Sequence, residues 1–375
     1  MDENTIPPLA SPPPYSTPPP IIVPPPSPPR KGRGWMVFAL ILLVLLLVSG
    51  LVNVGQFFSG FAPVKAVHSR TAGPRLEETL LEDNDASVKI AVVDVAGIIT
   101  SRIASQGGST MLELIKAQLK EAREDNKVKA VVLRVDSPGG EVLASDEINR
   151  AIADFQEKSG KPVIASMGNL AASGGYYISV PCRWIVANEM TLTGSIGVIM
   201  HTWNYRGLMD KVGLAPNVYK SGKHKDMLSG ERRPEEIPED ERAMVQALID
   251  ETYGRFKDVV REGRNHAHDQ NDGKGAALAS DWEDYADGRV LSGKQALEEG
   301  FVDQLGNFDI AVKAAKRLAG LKSANLVQYQ ERYDLGDFFR MFNQTKTPAL
   351  KVDLGMDLPK LEVGQLYFLS PTFLH

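Results

Sequence analysis

The sequence predicts a mixed α/β domain behind a single apolar membrane segment, and three observations carry that prediction. Short apolar runs alternate with stretches whose apolar residues recur every three or four positions, which is the pattern of strands alternating with helices. Clusters of glycine, serine and alanine fall at the ends of the apolar runs, where a parallel sheet carries its functional loops. Near the start, one long apolar stretch carries no charge at all and stands apart from the alternation. Composition is otherwise that of a globular protein, 43% hydrophobic and 24% charged over 375 residues, so a sizeable core can form. A net charge of −5 supplies no basic field to hold a nucleic-acid backbone, and nucleic acid is not expected as a partner. The single Cys182 cannot close an intramolecular disulfide or build a zinc site with a second cysteine, and it is expected as a small buried hydrophobe.

Of the 24 prolines, 13 lie in the first 30 residues, so residues 1–30 are expected as a disordered, polyproline-like arm: a spacer, or a set of PxxP ligands. Arg30, Lys31 and Arg33 then precede an apolar stretch, and no charged residue occurs from Gly34 to Val64. Residues 34–54 at 1.5 Å rise per residue span roughly 30 Å, the thickness of a hydrocarbon core, and are expected as a transmembrane helix. A cleaved signal peptide is the rival reading; the long region before the apolar run and the lack of a small-x-small site directly after it weigh against that. The basic cluster predicts a cytoplasmic arm, with everything beyond the span on the outer, periplasmic side of a bacterial-type plasma membrane. Residues 55–81 are expected as a stalk.

From Val88 the alternation begins, and residues 82–320 are expected as one domain. Val88 to Val95, Ala130 to Val135, Pro162 to Met167, Trp184 to Ala187 and Gly194 to Met200 are the expected strands. The stripe Met111, Leu112, Ile115, Leu119 and Ala122 marks one helix, Ile148, Ile152 and Phe155 another, and a long helix follows Pro238. Residues 321–375 show no clear pattern and are expected as an irregular tail.

Three small-residue clusters carry the chemistry. Paired glycines in Asp136-Ser137-Pro138-Gly139-Gly140 bring backbone N–H groups close to a ligand and permit positive φ, which suits an oxyanion loop as well as a plain tight turn. Ser173 sits between Ala171 and Gly175 where a strand turns into a helix. A nucleophile elbow needs tiny residues at those two places, and helix capping is the alternative use of the serine. A serine nucleophile needs a base. The six histidines fall in no triad context and no HExxH pair is present, so neither a histidine base nor a zinc protease is supported. A desolvated lysine can serve instead, and the segment Tyr219-Lys220-Ser221-Gly222-Lys223-His224-Lys225-Asp226 offers three.

Met167-Gly168-Asn169-Leu170-Ala171-Ala172-Ser173-Gly174-Gly175-Tyr176-Tyr177-Ile178-Ser179 closely resembles the signature around the nucleophile of the signal peptide peptidase A family of serine proteases. Asp136 to Gly140, Thr191 to Gly197 and Asp287 to Gly306 are similar to that family's other motifs, in order, so the likeness covers roughly Val88 to Leu318. The resemblance implies Ser173 as nucleophile and Lys225, of the His-Lys-Asp triplet, as general base, in the short single-repeat form of the family. It implies Gly139, Gly140 and Gly174 as the oxyanion hole, Ser195 as the serine that positions the lysine, and no metal or organic cofactor. It further implies a Clp protease and crotonase-type spiral of ββα units, assembled as an octameric ring in which serine and lysine come from neighbouring protomers. The implied substrates are remnant signal peptides and other unfolded apolar peptides. Two other readings share that fold: an acyl-CoA enzyme of the crotonase type, which leaves the membrane segment and elbow serine unused, and a non-catalytic membrane scaffold, which would not retain Ser173 and Lys225.

Overall fold

The computed structural model describes residues 36, 38–47, 49, 74–102, 109–332 and 365–369. The chain divides into two units, residues 1–70 and 71–375. In the first, the described residues 36, 38–47 and 49 are helical, with exposed large side chains from Phe38 to Leu47. Among the described residues no helix is both long and apolar enough to cross a membrane. The proline-rich arm, the remainder of the span expected at 34–54 and residues 55–73 lie outside the described residues.

The second unit follows the expected alternation. Its first half runs β1 (Leu76–Glu82), β2 (Lys89–Ala96), α1 (Met111–Glu124), β3 (Val128–Ser137), β4 (Gly139–Glu141), α2 (Val142–Ser159), β5 (Val163–Ala172), α3 (Gly174–Ser179) and β6 (Trp184–Ala187). Then come β7 (Leu192–Gly194), β8 (Ile199–Met200), α4 (Arg206–Lys211), α5 (Glu239–Gln270), β9 (Val290–Ser292), α6 (Gly293–Glu298), β10 (Gln304–Leu305), α7 (Phe308–Leu318), β11 (Asn325–Glu331) and β12 (Leu366–Leu369).

Nine of the described strands form one sheet along the path β1-β11-β2-β3-β5-β6-β10, with β7 pairing both β5 and β9. β2, β3, β5 and β6 are parallel to one another, as strands joined through helices must be. Their continuous apolar runs are explained by burial on both faces. Ala91, Val93, Val131 and Leu133 face Ile115, Leu119, Ile148 and Ile152 of α1 and α2. The alternate residues Ile90, Val132 and Ile164 face Ala311 and Ala315 of α7. Helix ends are fixed locally: Thr110 and Glu113 form a capping box on α1, and α2 stops at Gly160 with φ +67. Cys182 is buried and unpaired, as expected.

Three expectations are corrected. Gly194 to Met200 is not one strand but β7 and β8, because Gly194 (φ +71) and Ser195 (φ +50) turn the backbone left-handed between them. The segment expected as a stalk ends in β1, which pairs antiparallel with β11 at the edge of the main sheet. The tail is not irregular throughout: β11 pairs parallel with β2, and β12 lies between β4 and β8 in a second, three-stranded sheet.

Candidate active site

β5 changes partners along its length. Ile164–Ser166 pair with β6, and Leu170–Ala172 pair with β7, so the sheet forks just before Ser173. β5 also bulges against β3, since Val135 pairs with Met167 and Ser137 already with Ala171. Asp136 holds the bulge: the Leu170 N–H donates to its carboxylate at 3.1 Å, and a Cβ on Gly168 would stand 3.1 Å from the same carboxyl carbon.

Ser173 leaves this fork at φ 54, ψ −117, a conformation that costs a non-glycine residue roughly 1–3 kcal/mol. Its N–H donates to Gly194 O at 2.8 Å, and its carbonyl accepts from the Tyr177 N–H at 2.8 Å to open α3. The strained turn is therefore held from both sides. Its Oγ is buried and, among the described residues, has no hydrogen-bond partner. The small residue expected after the serine has a direct cause: a Cβ on Gly175 would lie 2.6 Å from the carbonyl oxygen of Ser137.

The three glycines expected around it come together. A Cβ on Gly174 would lie 3.0 Å from Gly139 Cα and 3.1 Å from Gly140 N. Gly139, at φ +98, has its own Cβ position 2.6 Å from Gly174 N. Only side-chain-free residues let these backbones approach so closely. Ile99 anchors the loop, donating its N–H to Gly139 O at 2.9 Å and accepting from Glu141 N at 2.8 Å. Ser195 lies alongside Ser173, each being the residue that follows the paired Ala172 and Gly194, and its N–H donates to Arg289 O at 2.7 Å.

Lys225 is elsewhere, on an exposed loop, and within one chain it makes no hydrogen bond to Ser173. The structure nonetheless separates the three lysines of that segment. Lys220 is paired with Asp226 at 2.7 Å and Lys223 with Asp240 at 2.5 Å. Among the described residues Lys225 has neither an ion pair nor a side-chain hydrogen bond. The loop is pinned by Arg232, which reaches Glu241 at 2.6 Å and Asp226 at 3.3 Å. The Lys220 ammonium beside Asp226 holds that carboxyl below its usual range, and Arg232 does the same for Glu241. His224 lies 3.5 Å from Glu241, in this loop and not at the serine. Among the described residues no cluster of His, Cys, Asp or Glu could hold a metal ion.

Several site residues were not anticipated. Ser145 Oγ would stand 2.7 Å from a Gly174 Cβ and donates to Glu141 O at 2.9 Å. Burial would raise the Glu141 carboxyl, but bonds from the Ser101 hydroxyl and amide and the Thr100 hydroxyl outweigh it and hold the group ionised, locking the segment after the glycines. Glu141 and Ser145 follow Gly139-Gly140 at helix-start spacing, which was the available signal. Tyr177, Phe256 and Phe368 form a buried aromatic group beside α3, joined from three distant parts of the chain, and no local pattern announces it.

The model of peptidase family S49 matches residues 155–322. A putative protease of Synechocystis sp. is 43% identical over 233 residues, covering 62% of this chain and 75% of that one. A putative signal peptide peptidase of Enterococcus faecium is 38% identical over 262 residues, covering 68% and 71%. Protease 4 of Salmonella typhi is 37% identical over 250 residues, covering 66% of this chain and 37% of its own longer one.

Proposed function

The chain belongs to peptidase family S49 and is a serine peptidase, and we propose that Ser173 is its nucleophile, Lys225 its general base, and remnant signal peptides and other unfolded apolar peptides its substrates. The observation that carries this reading is the pairing of a strained, buried serine with three glycine backbones crowded against it. Neutral Lys225 takes the proton from Ser173 Oγ as that oxygen attacks the peptide carbonyl carbon. The negative charge that develops on the carbonyl oxygen is met by the N–H groups of Gly140 and Gly174, with Gly139 shaping the loop. Collapse breaks the C–N bond, and the proton on Lys225 passes to the departing amine. Water then repeats the sequence on the acyl-serine, leaving the acid and free Ser173.

Lys225 reaches Ser173 from a neighbouring protomer in this reading. Support comes from the exposure of the Lys225 loop and from large apolar side chains in the segment just before it that one chain leaves uncovered, among them Trp203, Leu208, Val212, Leu214 and Tyr219. A closed ring, octameric by family resemblance and built on the Clp and crotonase-type spiral, would bury that surface and complete each site. Ser195 would orient the incoming lysine. Residues 34–54 would anchor the ring, with the proline-rich arm in the cytoplasm and the peptidase outside; the uncharged stretch after Arg30, Lys31 and Arg33 supports this topology.

The test is cleavage of an unfolded apolar peptide by the detergent-solubilised full chain, together with labelling by a fluorophosphonate. Ser173→Ala abolishes both while circular dichroism stays unchanged. Labelling of any other residue contradicts the assignment.

A further inference from the structure

Lys225 sits in a loop shaped by local turns: the Lys225 N–H donates to Gly222 O at 3.2 Å, the Met227 N–H to His224 O at 3.0 Å and the Ser229 N–H to Asp226 O at 3.1 Å. Turns of this range bend a chain but do not fix it to a domain, and the Lys225 side chain is exposed. A general base must stay within hydrogen-bond reach of the hydroxyl it deprotonates, and a misplacement of about 1 Å can cost on the order of 100-fold in rate. Something else must hold the loop.

What holds it is charge. Arg232 forks onto Glu241, Nη1 donating to Oε1 at 3.0 Å and Nη2 to Oε2 at 2.6 Å. The same Nη1 lies 3.3 Å from the carboxylate of Asp226, the residue next to Lys225. The side chains of Glu241, Asp226 and Arg232 are only 3%, 13% and 15% exposed, whereas those of the nearby Lys223–Asp240 pair are 67% and 43% exposed. The first group is therefore shielded from the screening that weakens the second. Glu241 lies in the first turn of α5, which is seated in the core by Phe256, Val259 and Val260. A fixed path thus runs from the core through Glu241 and Arg232 to the backbone beside Lys225. Lys220 also pairs with Asp226, at 2.7 Å, but of these two carboxylates it reaches one, and the guanidinium reaches both.

We propose that Arg232 is a positioning residue for the general base: clamped on Glu241, it fixes Asp226 and so holds Lys225 in the place from which it serves the serine. The proposal rests on the reading of Lys225 as that base. A planar guanidinium suits the role because it satisfies both oxygens of Glu241 and still reaches Asp226, which an ammonium, as a single point of charge, does not do. Arg232 and Glu241 also line a cavity of about 400 Å³, with Trp203, Met227 and Ile237 on its wall. A small guanidinium compound can therefore enter the space that a truncated Arg232 leaves.

The test uses the detergent-solubilised full chain carrying Arg232→Ala, assayed on one unfolded peptide alone, with millimolar ethylguanidinium, and with ethylammonium as the control. Glu241→Gln, which keeps the shape of the side chain and removes its charge, and Lys225→Ala are assayed beside it. Expected for Arg232→Ala is a fall in kcat of roughly 100-fold with KM nearly unchanged, because the groups that bind the peptide are untouched. Ethylguanidinium should restore much of the loss and ethylammonium should not. Glu241→Gln should lower kcat roughly tenfold, again with KM nearly unchanged. Unchanged kcat in Arg232→Ala beside an inactive Lys225→Ala overturns the proposal, as does a loss that ethylguanidinium fails to restore or that ethylammonium restores equally well. Should Arg232→Ala not fold, Glu241→Gln decides, and unchanged kcat there overturns the proposal. An active Lys225→Ala chain removes the base reading and the proposal with it.

Discussion

A Cβ on Gly174 would lie 3.0 Å from Gly139 Cα, so the turn that carries Ser173 and the loop that begins β4 touch backbone to backbone. Closeness of this kind tolerates no side chain on either partner, and the proposed oxyanion hole is built on it.

Gly174→Ala and Gly139→Ala should therefore each lower kcat by about 100-fold or more, the loss expected for a displaced oxyanion donor. Gly160 is the control. It also has positive φ, but a Cβ there meets nothing within 4 Å. Gly160→Ala should cost about 1 kcal/mol of stability and leave kcat unchanged. Steady-state kinetics with thermal melts separate the two effects; an active Gly174→Ala chain would contradict the assigned hole.

Mixing a Ser173→Ala chain with a Lys225→Ala chain should restore partial activity if the two residues meet across a subunit boundary. Half of the family chemistry would then come from each inactive partner. Oligomers demonstrated by mass to be mixed, yet inactive, would count against the shared site.

Asp287 holds the turn whose next-but-one carbonyl, that of Arg289, accepts the Ser195 N–H. Hydrogen bonds from the Arg289 guanidinium, aided by its backbone N–H, lower the Asp287 carboxyl from 3.8 to about 2. A carboxyl lowered on folding adds stability above its unfolded value, near pH 4, and that contribution fades as pH falls through about 2. Both side chains are about half exposed, so solvent screening keeps the contribution of the pair small. Asp287→Asn should lower Tm by a few degrees or less at pH 7 and by much less at pH 2, where the carboxyl is already about half protonated. A difference as large at pH 2 as at pH 7 would show that the ionised pair is not its source.

Topology has its own measurement. Protease added outside spheroplasts should cut between the membrane and the peptidase domain while leaving the proline-rich arm intact. Digestion of the arm with a protected peptidase domain would reverse the proposed orientation.

The parts legible in the sequence were those whose cause is local. Val131 to Leu133 and Val163 to Ala165 show as apolar runs because both faces of those strands are buried. Ser173 showed because its turn forbids side chains on its neighbours, and that requirement is written within five residues. β1 was missed because its Leu-Glu-Glu-Thr-Leu-Leu-Glu run lies at a sheet edge with most residues exposed, so no alternation appears. β12 was missed for a different reason. Its four residues pair with β4, far earlier in the chain, and a pairing of that range leaves no periodicity in the segment itself. The aromatic contact of Tyr177 and Phe256 likewise exists only once α3 and α5 pack together. For Lys225 the neighbouring sequence offered three lysines and only the family resemblance singled one out; the structure adds that carboxylates occupy Lys220 and Lys223.

The most direct measurement on the Ser/Lys assignment is kcat/KM on one unfolded peptide for Lys220→Ala, Lys223→Ala and Lys225→Ala in otherwise unaltered full-length chains. Removing a general base that serves a serine nucleophile costs on the order of 10⁴-fold or more, whereas removing a lysine that only pairs with a surface carboxylate costs little. Expected is loss of at least about 10⁴-fold for Lys225→Ala, with unchanged circular dichroism, and less than about threefold for the other two. An active Lys225→Ala chain beside an inactive Lys223→Ala or Lys220→Ala chain would contradict it.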